Sequence, residues 1–108
     1  MTPEGKIKAA VKKELDVYPH YREMPVPSGF GKSGLYFTVC FFSRFLAIET
    51  KRPGKDVTPR QALRIQDIEK AGGVTAVVSS IDEAKGPFRA LLKELADKHD
   101  SSTGILKT

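Results

Sequence analysis

A chain of 108 residues has room for one domain, and 40% apolar with 29% charged residues is the balance of a folded protein rather than a disordered one. No apolar run approaches the roughly 20 residues needed to cross a bilayer, and the N-terminus is polar, so neither a membrane span nor a signal peptide is expected. One cysteine, Cys40, excludes an internal disulfide framework and an all-cysteine zinc site. Net charge is +5, and it is uneven: residues 1–64 hold 12 basic and 6 acidic side chains, residues 65–108 hold 6 and 7. A basic half suits a polyanion such as nucleic acid, although a solvated lysine-rich surface has the same composition.

Thr2-Pro3-Glu4 has the order of a helix start: a capping threonine, proline at the first helical position and an acid in the first turn. Ile7, Ala10, Val11 and Leu15 recur at helical spacing, which predicts a helix from about residue 3 to about 15. Glu4 lies three residues before Ile7, so a carboxylate extends the apolar stripe. A short extended piece is expected around Tyr21–Val26. The following Ser28-Gly29-Phe30-Gly31-Lys32-Ser33-Gly34 contains G-x-G-x-x-G and Gly-Lys-Ser. A dinucleotide loop needs a strand before it and a helix after it, and a Walker A loop needs glycine where Val26 stands, so neither nucleotide motif holds.

Leu35–Cys40 and Phe45–Glu49 read as strands joined by a tight Phe41–Arg44 connection. A two-residue Phe42-Ser43 turn would set Tyr36 opposite Glu49, with Lys51 two residues further on the same face. Beyond the Arg52–Val57 loop, Thr58-Pro59-Arg60-Gln61 makes a capping box for a helix striped by Ala62, Ile65, Ile68 and Ala71, ending at Gly72-Gly73. Val74–Val78 reads as a buried strand. A second capping box begins at Ser80, Gly86-Pro87 is expected to interrupt the pattern, and Phe88, Leu91, Leu92 and Leu95 form a last helix. A folded unit over residues 1–98 and a frayed polar tail over 99–108 complete the reading, with Cys40 expected as a small buried hydrophobe. His20 and His99 have no partner at metal-ligand spacing, and Phe30, Phe41 and Phe42 suit core packing, a dimer contact or stacking on unpaired bases. The order is α/β: a mixed sheet flanked by helices, built from a hairpin and a strand–helix–strand crossover.

Glu49-Thr50-Lys51 carries the most informative spacing. An acid and a lysine two residues apart at a strand end point the same way. The carboxylate and the Thr50 carbonyl can hold a hard cation such as Mg²⁺, and the lysine can orient or activate a water. Those parts suit in-line hydrolysis of a phosphodiester.

Gly31-Lys32-Ser33-Gly34-Leu35, Arg44 through Lys55, Thr58-Pro59-Arg60-Gln61 and Ala71-Gly72-Gly73 together resemble the PD-(D/E)xK nuclease superfamily, most closely its small stand-alone VRR-NUC domains from phages and bacteria. The resemblance spans residues 2 to about 83. It implies a restriction-endonuclease-like core and a Mg²⁺- or Mn²⁺-dependent endonuclease. The expected protein is cytoplasmic, similar to Holliday-junction resolvases, and works on branched DNA as a homodimer. Glu49 and Lys51 would be the motif's acid and lysine, Glu4 the first-helix acid, and Gln61 the glutamine beside the active site. Glu49, Glu4 and the Thr50 carbonyl would hold the metal, while Lys32, Arg44, Arg52, Lys55 and Arg60 would contact phosphates.

Two positions depart from the family: Ser43 stands where many relatives carry glycine, which touches only the turn, and Tyr36 stands where an aspartate is expected. A neutral phenol is a poor ligand for a hard cation. The residue is consistent with a natural degenerate nuclease, an engineered inactive variant, or an acid supplied from elsewhere, Glu23 being the nearest in sequence. The alternative function is a DNA-binding module that keeps the nuclease fold without catalysis.

Overall fold

A computed structural model describes residues 2–24 and 36–106, with side chains at 2–24 and 37–99. Its elements are α1 (Pro3–Leu15), β1 (Tyr21–Glu23), β2 (Tyr36–Phe41), β3 (Arg44–Thr50), α2 (Pro59–Lys70) and β4 (Val74–Val78), then α3 (Ile81–Glu83) and α4 (Arg89–Leu106). The strands form one mixed sheet in the order β1-β2-β3-β4, antiparallel at the first two junctions and parallel at the third. The glycine loop, Phe30, Lys32 and Leu35 lie outside the described residues.

Local signals set the elements that matter for the site. The Thr2 hydroxyl accepts from the Gly5 N–H at 3.0 Å, and Pro3 opens α1. Phe42 and Ser43 form the two-residue turn, and the ladder runs from Phe41↔Arg44 to Tyr36↔Glu49, the register expected from the sequence. Both turn residues have positive φ, 50° and 69°. A two-residue hairpin needs that left-handed backbone to match the strand twist, and it favours glycine or asparagine. Non-glycine residues there carry about 1–2 kcal/mol of strain, partly offset by the smaller entropy they lose on folding. Ser43→Gly should therefore raise stability by about 0.5–1 kcal/mol in denaturant unfolding.

The core lies on one face of the sheet. Ile7, Val11 and Leu15 from α1 and Phe88, Leu92 and Leu95 from the C-terminal helices pack over Phe37, Val39, Phe41, Leu46 and Ile48. Glu14 joins this face as a buried carboxylate gripped by Arg89, whose Nε and terminal nitrogen each donate at 2.7 Å. That hydrogen bonding holds the Glu14 pKa below its ordinary value. The pair therefore stabilises the fold above about pH 4.5, and its contribution is lost as pH falls through the lowered pKa. Arg89→Gln leaves the carboxylate without its counter-charge. The Tm should fall at pH 7, and the deficit should close as pH falls through the lowered Glu14 pKa, below which the carboxyl is protonated in both proteins.

Several expectations change. Cys40 is exposed, because Phe37, Val39 and Phe41 take the inward positions of β2 and α2 covers β4 rather than the outer face of β2. Strand β4 is a half-buried edge rather than a buried strand, with Val77 exposed. Gly86-Pro87 does not interrupt the chain's helical course: Ala84–Phe88 forms a π-helical turn between α3 and α4, a wider ring in which proline's missing N–H and bulk are tolerated. The backbone past His99 is helical to Leu106 rather than frayed.

Candidate active site

Strand β3 delivers Glu49 to the parallel end of the sheet, between Tyr36 on β2 and Val77 on β4. Its neighbours Ala47, Ile48 and Thr50 are buried, and the carboxylate goes down with them, at 5% exposure. Among the described residues, no hydrogen-bond donor reaches the buried Glu49 Oε1. Desolvation pushes the Glu49 pKa up, against the attraction of Arg64 and then Lys51, and Glu4 adds to the rise as a like charge. A buried acceptor without a donor is costly, and it is the kind of group a cation satisfies.

The start of α1 brings Glu4 to this end of the molecule, half-buried. A cleft of about 500 Å³ opens there, lined by Glu4, Lys51, Arg52, Lys55, Asp56 and Thr58 among others. Lys51 is anchored just beyond β3, its N–H donating to the Val78 carbonyl at 3.0 Å. Two acids and three bases around one cleft make a mixed-charge mouth suited to a phosphate held beside a cation.

Helix α2 flanks the site through its first turn. The Thr58 hydroxyl accepts from the Gln61 N–H at 3.1 Å, and the Gln61 side-chain oxygen accepts from the Thr58 N–H at 2.9 Å. Gln61 is fully buried, so this amide oxygen is committed to the capping box. The inward face of α2 is Gln61, Arg64, Ile65 and Ile68, one position round from the expected stripe, with Ala62 and Ala71 exposed.

The structure thus brings Glu4, Lys51, Arg52 and Lys55 to one cleft, with Glu49 buried outside its lining but within electrostatic reach of Glu4 and Lys51, and Gln61 in the cap of α2. Tyr36 pairs with Glu49 in the backbone ladder, and its side chain lies outside the description, as does Lys32. Arg60 is exposed on the first turn of α2. Arg44 is elsewhere: it begins β3, five residues and so about 17 Å from Glu49, and does not flank this cleft. Glu23 does not fill the place opposite Glu49. It pairs with Thr38, is exposed, and accepts from the Tyr21 hydroxyl at 2.9 Å.

Sequence reasoning missed Arg64 and Asp56. Arg64 follows Gln61 by three residues and precedes Ile68 by four, so it belongs to the inward face. Asp56 sits just ahead of the Thr58 cap and so must enter the same cleft as α2's N-terminus.

Among the described residues, no three His, Cys, Asp or Glu side chains converge on one point. An ion here would rest on two carboxylates, Glu49 and Glu4, with carbonyl, water or phosphate oxygens completing its shell, a donor set that fits Mg²⁺ or Mn²⁺. No helix among the described residues is long and apolar enough to cross a membrane. No protein-family model, curated protein or solved structure matches this chain.

Proposed function

We propose that this protein is a metal-dependent, structure-selective DNA endonuclease on a restriction-endonuclease-like core, similar to the small VRR-NUC domains, acting as a cytoplasmic homodimer on branched DNA. The observation that supports the reading is Glu49 itself: a carboxylate buried at a strand end, one oxygen without a donor among the described residues, within electrostatic reach of Glu4 and with Lys51 two residues on.

In this reading Glu49, Glu4 and the Thr50 carbonyl hold a Mg²⁺ or Mn²⁺ ion, which when bound supplies an activated water and offsets charge on the scissile phosphate. Arg64 attracts the ionised form of Glu49 and so opposes part of the rise that burial causes. Lys51 orients the attacking water, whose oxygen forms the new bond to phosphorus as the opposite ester oxygen leaves. Arg52 and Lys55 grip neighbouring phosphates, so DNA affinity should fall steeply with salt.

A second reading, a DNA-binding module without catalysis, is favoured at position 36: the ladder pairs it with Glu49, and it is tyrosine where the resemblance implies an aspartate that would serve the metal. Cleavage of a labelled four-way junction against a plain duplex, with Mg²⁺ or Mn²⁺, separates the two. Metal-dependent cuts confined to the junction support the nuclease. Junction binding without cuts, by this chain and by a variant with aspartate at 36, supports the module.

A further inference from the structure

At the opposite end of β3 the hairpin turn, the middle of α4 and the α2–β4 connection enclose a second cleft of about 400 Å³, within the range of roughly 300–1,000 Å³ for small-ligand pockets. Phe42, Arg44, Phe45, Gly72, Lys98 and His99 line it. Its charged and titratable side chains are all basic. Phe45 is a large aromatic left 51% exposed, and Phe42 and His99 face each other with ring centroids 5.1 Å apart. Phe42 keeps this place although its backbone is left-handed, a conformation that glycine would adopt without strain. Lys98 also pairs with Glu94 at 3.1 Å, an exposed contact that anionic ligands can compete for.

Cations beside exposed aromatic faces are the parts that hold single-stranded nucleic acid: the rings stack bases and the cations take phosphates. We propose that this pocket binds a nucleotide unit of an unpaired DNA strand, with its base against the aromatic wall that includes Phe45 and its phosphate on Arg44 and Lys98. The inference rests on the nucleic-acid reading above and deepens it. A strand seated about 17 Å from Glu49 would give the protein a contact that only DNA with unpaired bases can make, and so a physical basis for selecting branched over plain duplex.

The test is a titration of the full chain with thymidine 5′-monophosphate, followed by backbone amide NMR shifts, with thymidine and inorganic phosphate as separate arms. The monophosphate should move the amides of Phe42–Phe45 and Gly72–Gly73 and should bind at least about tenfold tighter than either part alone. Arg44→Gln should weaken it about tenfold. Phe45→Ala should weaken the monophosphate about fivefold or more and leave phosphate binding unchanged. Equal affinity for phosphate alone, unchanged affinity in Phe45→Ala, or shifts located elsewhere would each overturn the proposal. The readout does not depend on cleavage. Junction cutting without these shifts refutes the pocket alone, and these shifts without cutting refute the nuclease alone.

Discussion

Glu49→Gln should abolish metal-dependent cleavage and at the same time make the metal-free protein more stable. Loss of the anionic ligand removes several kcal/mol of transition-state charge stabilisation, about 10³-fold in rate. In the metal-free fold the same carboxylate is a liability. One buried oxygen lacks a donor among the described residues, and a buried unsatisfied group costs about 1–3 kcal/mol. The amide keeps the shape and loses the charge, while forfeiting the attraction of Arg64 and Lys51, so a net gain of about 1 kcal/mol is expected at pH 7. That corresponds to a Tm rise of roughly 4–8 °C for a domain of this size. The pH dependence has a definite sign. Glu49's pKa is raised in the fold, so this group's stability is fully present below its ordinary value of 4.5 and is lost as pH rises through the folded value. The advantage of Glu49→Gln over the parent should therefore grow from acid toward neutral pH in thermal melts.

Tyr36→Asp should act in the other direction. The ladder pairs position 36 with Glu49, so aspartate there should add a carboxylate across the ladder from Glu49, which already feels Glu4 as a like charge. Without metal, three acids at one end of the sheet repel one another, and the Tm should fall. With Mn²⁺ the added ligand should raise metal affinity about 10²-fold, from a Coulomb attraction of a few kcal/mol at effective protein dielectric, partly spent on desolvation. Cleavage of a branched substrate should rise with it, and the double variant Tyr36→Asp with Glu49→Gln should cut no better than Glu49→Gln. An aspartate variant that binds Mn²⁺ no tighter than the parent would mean that position 36 does not face the cation.

The parts of this site that were legible in the sequence are those with local causes. Thr2-Pro3 and Thr58-Pro59-Arg60-Gln61 fix the starts of α1 and α2 through their own backbone hydrogen bonds, and the two-residue turn sets Tyr36 against Glu49. What stayed hidden depends on packing between distant segments. Glu14 meets Arg89 across 75 positions of sequence. Cys40 is exposed because no helix among the described residues covers that part of the sheet, which no neighbouring residue announces. The inward face of α2 was misjudged by one position because two of its members, Gln61 and Arg64, are polar: the rule that apolar residues mark the buried side fails where a helix borders a polar site. Arg44 is near Glu49 in sequence, yet an extended strand carries it to the far end, away from the cleft.

The most direct test of the central claim, that Glu49 is a cation site, is the thermal unfolding of the parent chain and of Glu49→Gln across a Mn²⁺ titration. A ligand that binds only the folded state raises Tm with concentration, about 2.7 kcal/mol at a hundredfold excess over Kd. The account predicts that Mn²⁺ raises the Tm of the parent progressively and leaves that of Glu49→Gln unchanged, so that the initial advantage of the variant shrinks and reverses. Equal shifts in the two proteins, or no shift in the parent at millimolar Mn²⁺, would contradict it.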